Sequence, residues 1–249
     1  MTDYGPATYG DHIAGLYDAL YVDPRVGVAT DSAVDFLADI VGRGRALELG
    51  VGTGRIALPL AERGATVTGI DASQAMLDRL TAKPGADSIA LHVGDFAEVD
   101  VEGEFELIYV VFNTFFALLE QEQQVQCFAN VAAHLADPGV FVIEAFVPDL
   151  AMYDRGQRVS APRVEANRVE LNASRVDPLS QRITSQHVLI GAEGIVLLPV
   201  QLRYAWPSEL DLMARLAGLQ LYERFSGWRG EAFTATSPGH VSVYARRAR

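Results

Sequence analysis

The sequence predicts an α/β fold, in which a doubly wound and mostly parallel sheet carries an antiparallel β-meander inserted after the fifth strand. Three observations support this prediction. From Arg45 to Phe146, short apolar runs alternate with amphipathic stretches, a pattern typical of parallel strands joined by helices. A glycine-rich turn directly follows the first of these runs. After Phe146, turn residues separate consecutive strand-like segments.

The core elements follow from the apolar runs and from the residues that begin and end helices. The N-terminal segment 4–22 alternates tyrosines with leucine and isoleucine, which predicts a helix lying over the sheet. The predicted core strands are 45–50, 65–71, 89–95, 105–112 and 139–146. The predicted helices before and between them are 32–41, 55–63, 73–82 and 120–135. Ser73 is the expected N-cap of the third of these helices, and Pro138-Gly139 is expected to stop the fourth.

The region after Phe146 first leaves the core pattern and then returns to it. The predicted meander strands are 168–177, 182–191 and 195–206. The core resumes with a helix over 208–217, which Gly218 caps, and with strands over 220–228 and 240–247. We therefore divide the chain into a core with an N-terminal cap helix (1–150), a β insertion (151–206) and a C-terminal part that completes the sheet (207–249).

The composition disfavours several classes of partner. The chain of 249 residues has 20 basic and 32 acidic side chains, and its formal net charge of -12 repels nucleic-acid phosphates. Without a signal-peptide pattern or an apolar run of membrane-spanning length, we expect a cytoplasmic protein that contacts no membrane. The single cysteine, Cys127, rules out a cysteine-cluster metal site, and we expect no bound metal.

The turn Glu48-Leu49-Gly50-Val51-Gly52-Thr53-Gly54 follows the first predicted strand and opens a helix. Its glycines let the backbone turn tightly and approach a ligand that a Cβ would push away. A dinucleotide-binding turn places its third glycine one residue later, to seat a pyrophosphate, and here that position is Arg55. The turn therefore favours a smaller group, such as the amino-acid part of S-adenosylmethionine. Glu48 could accept a hydrogen bond from the ammonium of that part, directly or through water.

Two acids end the second and third predicted strands. Asp71 lies where an acid of a nucleotide-type fold reaches the ribose hydroxyls. Asp95 precedes Phe96, a pair able to accept from the adenine amino group and to cover the ring. Each feature alone is weak, but the ordered set of Glu48, the glycines, Asp71 and Asp95 at strand ends is specific.

With these motifs, the segment 45–146 resembles the core of class I S-adenosylmethionine-dependent methyltransferases. The resemblance implies a Rossmann-like sheet of seven strands with the last strand antiparallel, and S-adenosylmethionine as cofactor. The residues expected to contact the cofactor are Tyr17, Glu48, Gly50, Gly52, Thr53, Gly54, Arg55, Asp71, Ala72, Met76, Gly94, Asp95, Phe96, Phe112 and Asn113.

The run from Tyr9 to Asp18, the turn at Pro148-Asp149 and the strand insertion are similar to small-molecule enzymes such as amino-sugar N,N-dimethyltransferases. That resemblance implies catalytic roles for Tyr9 and Glu144. The residues expected to bind the acceptor are Tyr9, Phe115, Phe116 and Glu144. His187 and His240 are further candidate bases, with less support.

Phe116 stands where the amino-sugar enzymes carry a histidine, which favours an aromatic or otherwise apolar acceptor. The predicted function is methyl transfer to the N, O or C atom of a small molecule, in secondary metabolism. Two alternatives stay open at this point: a nicotinamide-dependent oxidoreductase and a non-catalytic protein that binds S-adenosylmethionine. The predicted assembly is a monomer or a homodimer.

Overall fold

The computed structural model describes residues 4–22 and 30–246 of the chain. Its helices are α1 (Thr8–Ile13), α2 (Thr30–Val41), α3 (Ala57–Glu62), α4 (Gln74–Thr81), α5 (Gln121–His134) and α6 (Pro207–Leu216). Its strands are β1 (Arg45–Leu49), β2 (Thr66–Asp71), β3 (Ala90–Val93), β4 (Phe105–Val110), β5 (Leu135–Phe146), β6 (Gln157–Val164), β7 (Arg168–Asp177), β8 (Arg182–Gly191), β9 (Gly194–Arg203), β10 (Leu219–Phe225) and β11 (Gly239–Arg246).

The main sheet has seven strands in the order β10-β11-β5-β4-β1-β2-β3. The pairs β1–β2, β1–β4, β2–β3 and β4–β5 are parallel, whereas β11 runs antiparallel to both β5 and β10. This confirms the predicted doubly wound, mostly parallel sheet with an antiparallel last strand. A parallel sheet needs helices on both faces, because its strands are buried on both sides.

Two apolar layers cover the main sheet. On one face, Phe128 of α5 packs with Phe141 and Tyr244 of the neighbouring strands, at ring-centroid distances of 5.4 and 5.5 Å. On the other face, Leu37 of α2 and Leu60 of α3 are fully buried in a second cluster. The two layers hold the carboxyl ends of β1, β2 and β4 at one edge of the sheet.

The second sheet is antiparallel, in the order β6-β7-β8-β9. The prediction of a meander is confirmed, but a fourth strand, β6, was missed. Pro162 lies within β6, and β6 is an edge strand, where a residue without a backbone N–H is tolerated.

Other element boundaries also differ from the prediction. The N-terminal segment is not one helix: α1 ends at Ile13, and a π-helical turn, Asp18–Val22, follows. Gly15 lies between the two, and glycine lowers helix stability by about 1 kcal/mol. Ser73 caps α4 as predicted, because its hydroxyl accepts from the backbone N–H of Met76. Pro138-Gly139 does not stop α5 but lies inside β5. Arg247, the last residue of the predicted final strand, lies outside the described residues.

Candidate active site

A cavity of about 1330 Å³ lies at the carboxyl edge of the parallel strands. The strand ends form its floor, the N-terminal segment 4–22 forms one wall, and the sheet β6–β9 forms the opposite wall. A pocket for one drug-sized ligand has about 300–1,000 Å³. The cavity therefore has room for a cofactor and a second molecule, and we call its two parts the strand-end half and the β-sheet half.

The glycine turn lies in the strand-end half. Gly50, Gly52 and Gly54 have φ angles of 76°, 55° and 80°, in the left-handed region that favours glycine. A Cβ on Gly50 would lie 2.4 Å from a methyl group of Thr114, so the turn fits no side chain at this position. The backbone at Gly50 and Gly52 lines the cavity directly.

Asp71 ends β2 beside this turn and its carboxylate is held by backbone donors. The N–H groups of Gly52 and Ser73 donate to its two oxygens, at 2.8 and 2.9 Å. Burial raises the pKa of the carboxyl above its usual value, although both hydrogen bonds lower it. The carboxylate is thus fixed at the cavity wall, and each oxygen keeps a second lone pair for a ligand.

Asp95 and Phe96 follow β3 on the same floor. One oxygen of Asp95 accepts from the backbone N–H of Ala97 at 2.9 Å. In the part of the chain that the structure describes, the other oxygen has no partner. The ring of Phe96 is buried on its far side, so it presents an apolar surface next to a free acceptor.

Glu48 lies beneath the glycine turn and does not line the cavity. Its carboxyl is buried, and the Tyr109 hydroxyl donates to it at 3.0 Å. Burial raises the pKa of Glu48 to about 8, while this hydrogen bond and the Arg55 charge lower it. Arg55 lies over the ring of Phe112, 4.8 Å from its centroid, and its guanidinium donates to the Thr30 hydroxyl at 3.2 Å. Burial raises the pKa of Tyr17, and the Arg55 charge lowers it.

Thr53 ties the N-terminal segment to the turn. Its hydroxyl donates to Asp18 at 2.6 Å, and the Lys83 ammonium bonds both Asp18 and the Thr53 carbonyl at 2.8 Å. A second tie joins the Ser73 hydroxyl to Asp11 at 2.6 Å. These contacts hold the wall formed by residues 4–22 against the floor.

The wall formed by the N-terminal segment is aromatic. Tyr9, Tyr17 and Tyr21 line the cavity, and the rings of Tyr17 and Tyr21 pack at a centroid distance of 5.0 Å. Burial raises the pKa of Tyr9 well above its usual value and that of Tyr17 to about 12. Both phenols are therefore protonated donors at neutral pH.

Comparisons with known proteins identify the family. A profile for the methyltransferase domain matches residues 46–139. The structure of the CcbJ methyltransferase from Streptomyces caelestis is 39% identical, covers 98% of this chain and 100% of its own, and superimposes with a TM-score of 0.91. The chain belongs to the S-adenosylmethionine-dependent methyltransferases.

Two further relatives of this methyltransferase are named for their activities. The cypemycin N-terminal methyltransferase of a Streptomyces species is 29% identical over 246 residues, which are 97% of this chain and 99% of that protein. An amino pentose methyltransferase from Micromonospora echinaspora, involved in calicheamicin biosynthesis, is 25% identical with a TM-score of 0.70, covering 93% of this chain and 97% of its own.

Most residues predicted to hold the methyltransferase's cofactor line the cavity together. They are Tyr17, Gly50, Gly52, Asp71, Ala72, Met76, Asp95, Phe96, Phe112 and Asn113. The remaining five, Glu48, Thr53, Gly54, Arg55 and Gly94, lie behind this surface. The enzyme uses S-adenosylmethionine, and the residues fit it. A cradle that a Cβ at Gly50 would fill lies beside the Asp71 carboxylate, which two backbone N–H groups hold, and the Asp95 carboxylate, which one holds.

Glu144, which was expected to touch the acceptor, does not line the main cavity. Ile143 and Ala145 face the apolar cluster on one side of the sheet, so Glu144 points to the other side. Its oxygens accept from the backbone N–H of Phe112 at 2.7 Å and from the Trp228 indole at 2.9 Å. Glu144 lines a separate side cavity of about 260 Å³, beside the buried His240.

Phe115 and Phe116 do not line the main cavity either. Both rings are fully buried in the core, where Phe115 packs on Phe128 and Phe116 on Phe146 at 5.5 and 4.9 Å. The short 3-10 turn after β4 directs these two rings inward, and Thr114 and Ala117 face the cavity instead. The expectation of an apolar acceptor, which rested on Phe116, thus has no support in the geometry.

Sequence reasoning missed most of the wall formed by the sheet β6–β9. Polar side chains on its inner face line the β-sheet half, namely Arg158, Asn172, Ser174, Ser185 and His187. In β7 and β8 these residues stand at every second position, and Asn172 is paired with His187 and Ser174 with Ser185. The alternation of polar residues can be read from the sequence, but the sequence does not show which face of the sheet turns towards the site.

Within residues 4–22 and 30–246, no helix is long and apolar enough to cross a membrane.

Proposed function

We propose that this methyltransferase acts on the nitrogen of an amine in a small molecule of secondary metabolism. The observation that carries the proposal is a group of uncharged hydrogen-bonding side chains in the β-sheet half. There the Ser174 and Ser185 hydroxyls are 2.8 Å apart and Asn172 adjoins them. The activities for which two relatives are named agree with it, since one is an N-terminal methyltransferase and the other an amino pentose methyltransferase.

The cofactor would lie in the strand-end half. Asp71 would accept from the ribose hydroxyls, Asp95 from the adenine amino group, and Phe96 would cover the adenine ring. The left-handed glycine turn would admit the amino-acid part. When bound, S-adenosylmethionine supplies an electrophilic methyl group on a sulfonium. Glu48, under the turn, would act through the backbone and through Arg55 rather than by direct contact.

His187 is the group we propose to take the proton that the acceptor amine must lose. A protonated amine has no lone pair, so the acceptor becomes a nucleophile only after deprotonation. His187 is half-buried in the cavity wall, and burial lowers its pKa although Glu170 raises it. The imidazole is therefore neutral at pH 7 and able to accept a proton.

Tyr9 and Glu144 would serve this reaction in different ways. The Tyr9 hydroxyl lies in the cavity and would orient the acceptor as a hydrogen-bond donor. Glu144 would act as a positioning residue, because its carboxylate holds the backbone of Phe112 at the cavity floor. The N-terminal segment would exclude water from the reacting atoms, which strengthens electrostatic interactions there.

A panel assay tests the proposal. The enzyme and S-adenosylmethionine are incubated with matched amines, phenols and indoles, and mass spectrometry detects added methyl groups. We expect methylation of amines, and we expect His187→Asn to lower the rate without changing the affinity for S-adenosylhomocysteine measured by calorimetry. Methylation of phenols or indoles but of no amine would contradict the assignment to nitrogen.

A further inference from the structure

Arg158 is the feature of the β-sheet half that the proposed reaction does not use. It lies on β6, in register with Ser174 of β7, and its side chain lines the cavity next to Tyr153. It stands outside the strand-end half, where the cofactor residues converge. We therefore look for its role in binding a chemical group of the second molecule.

Arg158 has no acidic partner in the part of the chain that the structure describes. Among those residues, no carboxylate oxygen lies within 4.0 Å of the guanidinium, and its one hydrogen-bond partner is the Met152 sulfur, at 3.7 Å. A thioether is a weak acceptor. A guanidinium that faces a cavity with no better acceptor is available to a ligand.

Several other arginines of the same sheet are paired. Arg168 bonds Glu170 at 2.6 Å and Arg203 bonds Glu209 at 2.8 Å, and Arg182 bonds Glu120. In a chain with 32 acidic and 20 basic residues, acidic partners are plentiful. Arg175, exposed on the other face, also has no ion pair among the described residues, so what distinguishes Arg158 is that it lines the cavity.

Two acids line the same half of the cavity, and both are engaged elsewhere. Glu120 bonds Arg182, and Asp149 accepts from the backbone N–H of Ala151 at 3.0 Å. The nearest polar neighbours of Arg158 are uncharged, since Ser174 is opposite and Tyr153 alongside. A negative charge brought by a ligand would meet one unpaired guanidinium and neutral donors.

We propose that Arg158 binds a carboxylate of the methyl acceptor, so that the substrate is an amine that also carries a carboxylate. This inference rests on the proposed function, because it requires the β-sheet half to hold the acceptor. A guanidinium matches a carboxylate with two parallel hydrogen bonds. A net charge of -12 repels anions in general, so an anionic acceptor needs such a local cation.

Matched acids and carboxamides test the carboxylate site. The probes are proline and prolinamide, tyrosine and tyrosinamide, and 4-hydroxybenzoate with 4-hydroxybenzamide. Their binding to the S-adenosylhomocysteine-loaded enzyme is measured by saturation-transfer NMR, and their methylation by mass spectrometry. We expect at least about a tenfold preference for the acid in one or more pairs, the worth of about 1.4 kcal/mol.

Variants assign this preference to the guanidinium. Arg158→Gln should remove the preference for the acid while leaving binding of the amide unchanged, and Arg158→Lys should keep part of it. The control is Arg175→Gln, since Arg175 is exposed on the other face of the sheet beside β6. Calorimetry with S-adenosylhomocysteine and thermal unfolding check that each variant retains its fold.

The outcomes separate the two proposals. Equal use of acids and amides, or no binding of any acid, overturns the carboxylate site even if amines are methylated. A preference for acids that survives in Arg158→Gln also overturns it. Methylation of 4-hydroxybenzoate but of no amine would contradict the nitrogen assignment, while a preference for that acid lost in Arg158→Gln would still support Arg158 as the carboxylate site.

Discussion

The two halves of the cavity are built in different ways. In the strand-end half, residues at the ends of neighbouring parallel strands converge, and backbone N–H groups fix Asp71 and Asp95 at 2.8 to 2.9 Å. In the β-sheet half, an inserted sheet supplies the wall. There, among the described residues, neither Arg158 nor His187 bonds a nitrogen or oxygen atom of the protein.

This difference indicates which half is preorganised. A carboxylate already held by two N–H groups binds a ligand without losing much side-chain freedom, whereas a free arginine or histidine must be ordered on binding. The N-terminal segment connects the halves, because Asp18 accepts from the Thr53 hydroxyl of the glycine turn and Ile13 of α1 packs with Leu198 of β9. Variants in each half should therefore have separable effects, and variants in the connecting segment should not.

The largest expected effect is the loss of cofactor affinity in Asp71→Ala. Removal of a charged acceptor of two hydroxyl hydrogen bonds costs about 1.5–3 kcal/mol for each bond, so affinity for S-adenosylhomocysteine should fall about 100-fold or more. Calorimetry measures the change. The control is Asp78→Ala, whose carboxylate is exposed on α4 and bonds Gln74. An unchanged affinity in Asp71→Ala would mean that the strand-end half is not the cofactor site.

A loss of rate alone is expected from His187→Asn in the β-sheet half. General-base catalysis contributes roughly 10²–10⁴-fold, so kcat should fall by about 100-fold at neutral pH. Because burial lowers the pKa of His187, the wild-type rate should be full above that pKa and decline as the pH falls through it, below 6.5. The pH profile of His187→Asn should lack this decline.

The matched control for that profile is His92→Asn, because His92 is exposed on β3 outside the cavity. Affinity for S-adenosylhomocysteine should be equal in both variants and the wild type. A loss of cofactor affinity in His187→Asn, or an unchanged acid limb of the profile, would remove His187 from the proposed reaction.

The strand-end half could be predicted from sequence because chain position alone fixes its place. In a doubly wound sheet, the carboxyl ends of all parallel strands meet at one edge, so an acid that ends a strand lies at the site. Asp71 and Asp95 could therefore be placed at this edge without any knowledge of side-chain packing. The direction of a side chain could not be predicted in this way: Glu144 of β5 and Phe116 of the turn after β4 were expected at the acceptor, and both lie outside the main cavity.

The β-sheet half could not be predicted because its strands mix two patterns. Polar Asn172 and His187 face the cavity together with apolar Val200, while Val159 and Ile195 on the outer face are 73 and 65% exposed. By the usual rule, the apolar face of an antiparallel sheet packs on the core and the polar face meets water. Here the inner face carries both polar and apolar side chains, because it borders a cavity as well as the core.

A smaller effect, on both halves together, is expected from Gly10→Ala in the connecting segment. Helix propensity alone would favour alanine, but its Cβ would lie 2.5 Å from that of Ser73, and overpacking costs about 1–3 kcal/mol. Displacement of α1 should weaken cofactor affinity about tenfold and lower the rate. Gly15→Ala is the control, since its Cβ would make an ordinary contact of 3.6 Å. If only the cofactor affinity or only the rate fell, the N-terminal segment would not couple the two halves.

The smallest effect on acceptor choice is expected from Phe116→Leu. The ring is fully buried against Phe146 and outside the cavity wall, so the change should cost about 1–2 kcal/mol of unfolding free energy and leave acid and amide preferences unaltered. Denaturant unfolding and the matched-acceptor assay measure the two quantities. Asn172→Ala, on the wall of the β-sheet half, is the counterpart and should alter acceptor preference with little loss of stability. If Phe116→Leu changed the preference instead, the boundary of the β-sheet half would have to be moved to include the turn after β4.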